Sequence, residues 1–318
     1  MSNLINLYIN NLLNNTPKEI ISQYKHNPQH VDIVFEGGLF NGSYESGFMY
    51  YLKKMEKLNY IIVDKLSGCS IGAIQGLLYF ANSEDYEFLN RKLYHISYKQ
   101  LKNHNNVNIY DELFQCIKDI LPDNILDKIN NRLYISYFNI KIEKQVVKSC
   151  YKNIDDLLDT IRKSCSVPII SDNNIFYKKK YMDGLYPYIF NKNKNKRIIY
   201  LNISNLSYLF GIFSIKNERK TNIPRILDGI YDTHLFFTTN YTTNMCSYVD
   251  KWSILLKIKR LLIEKITRII VYFLNKCLIL YNIIRKTDYN EGVFINVIEN
   301  IYRFCKILYI FFIKTWCI

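Results

Sequence analysis

The chain has 318 residues, 49% hydrophobic and 22% charged, long enough to bury a substantial core and too apolar for wholesale disorder. Its eight cysteines include no C-x-x-C and no framework spacing, which excludes a disulfide scaffold and a zinc ribbon. The formal charge is +14, but 36 Asn, 48 Ile and two Ala reflect A/T-rich coding, so an excess of lysine is not by itself a sign of function.

In chain order, Leu4 to Leu13 reads as a short helix, and Pro17 and Pro28 break the segment between it and the first strand. Val31 to Phe35 is that strand, a β-branched run ending at Gly37-Gly38. Tyr44 to Leu58 comes next as a helix, with Met49, Leu52 and Met55 spaced for one face. Tyr60 to Leu66 is a second apolar strand running into Ser67-Gly68-Cys69-Ser70-Ile71-Gly72, and Ala73 to Phe80 is an apolar helix. This alternation predicts an α/β fold with a largely parallel central sheet. Glu84 to Thr160 reads as mostly helical and polar, with a strand at Arg132 to Asn139. Ile175 to Gly184 reads as a hairpin, and Arg197 to Ile203 as the next strand.

Three motifs carry chemistry. Gly68-Cys69-Ser70-Ile71-Gly72 is a G-x-S-x-G between an apolar strand and an apolar helix, the strand–turn–helix setting of a nucleophile elbow. Glycines suit a turn in which any Cβ would clash, and the helix dipole favours negative charge developing at the serine. The alternative is a structural turn. Gly37-Gly38-Leu39, at the end of the first strand, can aim backbone N–H groups at an oxyanion, or it can be a merely permissive turn. Asp183-Gly184 offers a carboxylate that can serve as a base or simply form a turn.

In this order the three motifs resemble the patatin-like phospholipase family, which reads G-G-G-x-[RK]-G, then G-x-S-x-G, then D-G-[GA]. The matching stretches are Gly37 to Gly42, Gly68 to Gly72 and Asp183-Gly184. Gly42-Ser43-Tyr44-Glu45-Ser46-Gly47 is similar to the family's G-A-Y-x-x-G, and Ser164-Cys165-Ser166-Val167-Pro168 to its S-x-A-x-P. The resemblance spans about Val31 to Leu206. It implies a three-layer α/β/α fold and lipid acyl-ester hydrolysis by a Ser–Asp dyad, with Ser70 as nucleophile and Asp183 as proton acceptor. Gly37, Gly38 and Leu39 would then be the oxyanion donors, Gly42, Gly68, Gly72 and Gly184 the motif glycines, and no metal or cofactor would be involved. The departures are Leu39 for the third glycine, Asn41 for the basic residue and Leu185 after Asp183-Gly184. Asn41→Arg, which restores the family's charge, is expected to leave activity unchanged or raise it on anionic lipids. A catalytically silent membrane-binding protein with this fold is the alternative. A second is an α/β-hydrolase triad, since His234 follows Ser70 and Asp183 in that fold's chain order. Cys69 is expected to be buried and inert.

From Asp250 to Ile318 there are 12 Lys/Arg and five Asp/Glu, so half of the excess charge lies in the most apolar part of the chain. Trp252 to Ile284 reads as a basic amphipathic helix, and within it Ile269 to Ile284 carries only Lys276 and is short for a membrane span. Basic and apolar together suit a membrane surface rather than nucleic acid; a helical subdomain packed on the core is the competing reading. The expected organisation is an extension at 1–30, an acyl hydrolase domain at 31–245 and a basic helical region at 246–318. Met1 to Thr16 lacks a basic n-region followed by a small-residue cleavage site. The expectation is therefore an intracellular protein, soluble or on the cytoplasmic face of a membrane, acting on phospholipid or another lipid ester.

Overall fold

A computed structural model describes residues 2–38, 41–81, 91–92, 94–96, 109–166, 176–184, 186–193, 195–203, 222–266 and 269. The strands are β1 Gln29–Phe35, β2 Ile61–Gly68, β3 Leu133–Asn139, β4 Lys144–Lys148, β5 Tyr181–Met182, β6 Arg197–Leu201 and β7 Cys246–Tyr248. The helices are α1 Ser2–Asn14, α2 Lys18–His26, α3 Gly42–Lys57, α4 Ile71–Phe80, α5 Ile109–Lys118, α6 Ile125–Ile129, α7 Ile154–Cys165 and α8 Asn222–Thr239. A further helix, α9, covers 254–266.

The strands make one seven-stranded sheet in the order β4-β3-β2-β1-β6-β7, with β5 also paired to β3. β3, β2, β1 and β6 run parallel, while β4, β5 and β7 are antiparallel to their neighbours. The mixed α/β class with a mostly parallel centre is therefore as the sequence indicates. β1 is buried without a break from Val31 to Phe35, Asp32 included, because both faces of the central sheet are covered. Val31, Ile33 and Phe35 join the large core shared with α1, α3, α4, α7 and α8. Val34 turns to a smaller cluster with Ile198, Tyr200, Phe190 and Val249, against which Trp252 packs.

α1 buries Ile5, Ile9 and Leu13 in the main core, so this part of the N-terminal extension packs on the sheet domain. β7 pairs with β6 through Ile199↔Tyr248 and Leu201↔Cys246, so a boundary at 245 would cut off an edge strand. Of the basic C-terminal region, 254–266 is helical as expected, while most of Ile269 to Ile284 lies outside the described residues. Among the described residues, no helix is long and apolar enough to cross a membrane.

The register of β3 does the most to build a site. β4 occupies one edge of β3 from Ile135 to Asn139. β2 occupies the other edge only as far as Gly68↔Ile135. β3 outruns β2, and β5 takes the vacated edge at Phe138↔Met182 and Asn139↔Tyr181. The chain leaving β5 at Asp183 therefore emerges just past the point where β2 gives way to the turn carrying Ser70. On the other side, α3 and α8 approach backbone to backbone. A Cβ on Gly47 would lie 2.2 Å from the Ile226 carbonyl oxygen, and one on Gly229 would lie 2.2 Å from that of Tyr44. Gly47, the last residue of the motif beginning at Gly42, is thus required for helix packing.

Candidate active site

Ser70 stands between β2 and α4 with φ 52° and ψ −129°, a conformation that costs a non-glycine residue about 1–3 kcal/mol. The surrounding contacts hold it there. A Cβ on Gly68 would fall 2.3 Å from the Gly72 carbonyl oxygen, and one on Gly72 2.8 Å from the Phe35 Cβ. Both glycines are needed because the turn folds back on itself and on β1. The Gly72 N–H donates to the Cys69 carbonyl at 2.9 Å and the Ala73 N–H to the Ser70 carbonyl at 3.0 Å, which starts α4 directly behind the serine. The result is a sharp strand-to-helix turn with a 6%-exposed serine at its apex.

The last turn of α7 clamps this elbow. Ser164 Oγ accepts the Ser70 N–H at 3.0 Å and donates to the Ser136 carbonyl at 2.6 Å. The Cys165 thiol donates to the Ser70 carbonyl at 3.2 Å. The same turn fixes the carboxylate strand, since the Asp183 N–H donates to the Ser166 carbonyl at 2.9 Å and the Gly184 N–H to that of Ser164 at 3.3 Å. A Cβ on Gly184 would sit 2.2 Å from the Ser136 carbonyl oxygen and 2.9 Å from the Cys69 Cβ. Asp183-Gly184 therefore lies directly on the Cys69–Ser70 turn, with Asp183 6% exposed. Electrostatics agree: burial and then the Asp183 charge push the Cys69 and Cys165 thiols well above the ordinary range. Cys69 is fully buried, an inert neighbour of the serine.

Of the loop after β1, Gly37 and Gly38 are described, while Leu39 lies outside the described residues, as do Leu185 and Val167-Pro168. A Cβ on Gly37 would be 3.1 Å from that of Ser70, so the loop touches Ser70. The Gly37 N–H lies against the Cys69 sulfur, whereas the Gly38 N–H has no acceptor among the described residues. The Asn41 N–H closes the turn onto the Gly38 carbonyl at 2.9 Å.

Asn41 is completely buried, and its Nδ2 donates to the Ile203 carbonyl at 2.9 Å, pinning the loop to the chain just past β6. An arginine there would lose that bond and bury a charge, so Asn41→Arg is expected to lower activity rather than preserve or raise it. The histidine alternative is also displaced. His234 shares a 3.0 Å hydrogen bond with the Tyr51 hydroxyl, and burial holds its pKa below the ordinary value. Tyr51 lies nine residues into α3, about 13 Å along the helix from the end that meets Ile71. The structure brings Ser70, Gly37, Gly38 and Asp183 together and leaves His234 elsewhere. Among the described residues no three His, Cys, Asp or Glu side chains converge on a metal position.

Sequence reasoning misses Glu36. Its Oε1 accepts the Tyr200 hydroxyl at 2.9 Å and Arg260 Nη1 at 3.4 Å, with the Glu36 and Arg260 side chains only 14% and 11% exposed. Nothing in the local pattern signals a partner 224 residues away. Against known proteins, a model of the patatin-like phospholipase family matches residues 33–186. No curated protein and no solved structure matches significantly.

Proposed function

We propose, from the match of residues 33–186 to the patatin-like phospholipase family, that the chain is a lipid acyl hydrolase and that Ser70 and Asp183 are its catalytic dyad. The observation that carries the reading is the left-handed backbone of Ser70 with Asp183-Gly184 seated on the same turn. Ser70 Oγ attacks the ester carbonyl while Asp183 takes its proton. The tetrahedral oxyanion is met by the Gly38 N–H, a donor of the kind worth about 3–4 kcal/mol. Collapse expels the lysolipid or alcohol with the proton returned from Asp183, leaving an acyl-serine. Water, deprotonated by Asp183, then releases the fatty acid and regenerates Ser70. A carboxylate is a weak base for a serine, so the short reach between the two elements and the exclusion of water from the turn are what make the pair workable.

The substrate in this reading is a bilayer phospholipid. α9 presents Leu255 at 78% exposure and Ile254 at 75%, with Lys257, Lys259 and Lys265 exposed among the apolar residues. That mixture suits an anionic bilayer surface, where apolar burial holds the helix and each basic residue near the lipid adds about 1 kcal/mol. An intracellular enzyme, soluble or on the cytoplasmic face of a membrane, is part of the same proposal.

The test is ester hydrolysis by pure protein on anionic phospholipid vesicles and on a soluble short-chain ester, in EDTA. Wild type is expected to turn over both. Ser70→Ala and Asp183→Asn should lose at least about 10²-fold while melting near the wild-type temperature. A folded Asp183→Asn that keeps its rate moves the base elsewhere. A wild type silent on every lipid ester supports the non-catalytic membrane-binding alternative.

A further inference from the structure

Among the described residues of α9, Arg260 is the basic side chain that turns inward. Its Nη1 donates to Glu36 Oε1 and to the Tyr200 hydroxyl, and its Nε donates to Glu264 Oε1 at 3.0 Å. Glu36 is the residue before Gly37. The guanidinium also lies 5.6 Å from the centre of the Tyr186 ring, and the Tyr186 N–H donates to the Gly184 carbonyl at 2.6 Å. A single side chain from α9 thus meets the residue that opens the oxyanion loop and the segment after Asp183. Its charge reaches the sulfur of Cys69, where it opposes the upward push of burial on the thiol. The helix is anchored at its start by Trp252, which packs edge-on against Tyr200 at 5.0 Å and donates to Ser247 Oγ at 2.9 Å.

Simple stabilisation is a poor account of this arrangement. A half-satisfied buried ion pair contributes little, and Arg260 Nη2 is buried with no acceptor among the described residues. The rest of α9 offers little else to hold it, since Leu261 and Leu262 are 57% and 53% exposed. A helix of 13 residues is marginal by itself in water, so whatever covers its apolar sides also strengthens the contact at Glu36. Linkage makes the effect reciprocal.

We propose that Arg260 is a positioning residue that ties α9 to the oxyanion loop, so that adsorption of α9 on an anionic bilayer orders the loop for catalysis. The effect on turnover rests on the acyl-hydrolase reading; the tie between helix and loop does not.

Hydrogen exchange of the full chain, with and without vesicles of phosphatidylglycerol and phosphatidylcholine, reads the tie directly. In wild type, vesicles should slow exchange in the peptide covering residues 35–42 by about tenfold, the scale of one charge-assisted contact. In the same samples they should raise kcat on a soluble short-chain ester with little change in KM. Arg260→Ala should bind the same vesicles and show neither effect, and Arg260→Lys should recover part of both. Glu36→Gln, altered from the loop side, should behave as Arg260→Ala, and the double variant should be no worse than either single one. The proposal is overturned if Arg260→Ala keeps vesicle-induced protection at 35–42, or if wild type binds vesicles without protecting that peptide or does not bind them. If Ser70→Ala hydrolyses the ester as fast as wild type, the dyad falls, while the exchange data still decide whether α9 and the loop are tied.

Discussion

α4, behind Ser70, and α9, near the end of the described chain, are both rich in isoleucine and leucine, yet they use them in opposite ways. Nine of the ten residues of α4 are buried. In α9 none is, and the side chains most covered are the charged Arg260 and Glu264. The sequence difference is charge. α4 has none, so every side can face protein, while Lys257, Lys259, Arg260, Glu264 and Lys265 interleave with the apolar residues of α9. Hydrophobic content alone does not separate a core helix from an interfacial one; the interleaving of charge does. The inversion extends to the inward-facing side chain, which in α9 is a cation bound to a carboxylate at the edge of the candidate active site.

The comparison breaks hardest on the packed side. Gly184→Ala drives a methyl into the Ser136 carbonyl and Cys69, so urea denaturation should show a loss of about 3 kcal/mol, with hydrolysis lost as well. Asn41→Arg should cost about 2–3 kcal/mol, from a broken bond to Ile203 and a desolvated charge, and activity on anionic lipid should fall. A variant as stable and active as wild type would mean the loop does not depend on Asn41.

Glu45, in the first turn of α3, probes the same packed region by pH. It is fully buried, neither carboxyl oxygen has a hydrogen-bond partner among the described residues, and desolvation, then the nearby Glu36 charge, raises its pKa well above 4.5. The folded state therefore holds the proton more tightly than the unfolded chain. Its contribution is fully present below the unfolded pKa and is lost as pH rises towards the folded one. Glu45→Gln, which cannot ionise, should melt higher than wild type at pH 8, with the gap closing towards pH 5. An equal gap at both pH values would show that titration of Glu45 is not the cause. On the α9 side the stability effects should be smallest. Leu255→Ser with Leu262→Ser should move unfolding by no more than about 0.5 kcal/mol but weaken vesicle binding at least tenfold, since each buried leucine is worth about 1.5–3 kcal/mol.

The centre of the sheet is legible in the sequence because β1 and β2 are short runs rich in β-branched residues that end at or close to glycine. Val31 to Phe35 lies within β1, and Tyr60 to Leu66 begins one residue before β2 and ends short of it by Ser67-Gly68. α2, β4 and α8 escape such a reading. Lys18–His26 buries no residue, Lys144–Lys148 is a half-exposed edge strand, and α8 carries three threonines in its second half. The elbow and the Asp183 turn are written in glycines that the backbone requires, so a local pattern finds them. Ser164 is visible only as part of a motif; its role needs the register that brings Ser136 and Ser70 to one hydroxyl. Asn41 looks like a missing charge until the fold buries it, because burial is a property of the folded chain. Arg260 looks like one more basic residue of an amphipathic helix, because its partners lie on β6 and beyond β1.

The central claim is that the strained turn at Ser70 holds a live nucleophile. A fluorophosphonate probe followed by peptide mass spectrometry tests it most directly. The account predicts stoichiometric modification of wild type at Ser70, none in Ser70→Ala, and strongly slowed modification in a folded Asp183→Asn. An intact, folded wild-type protein that leaves the probe untouched, or carries it on another residue, would contradict it.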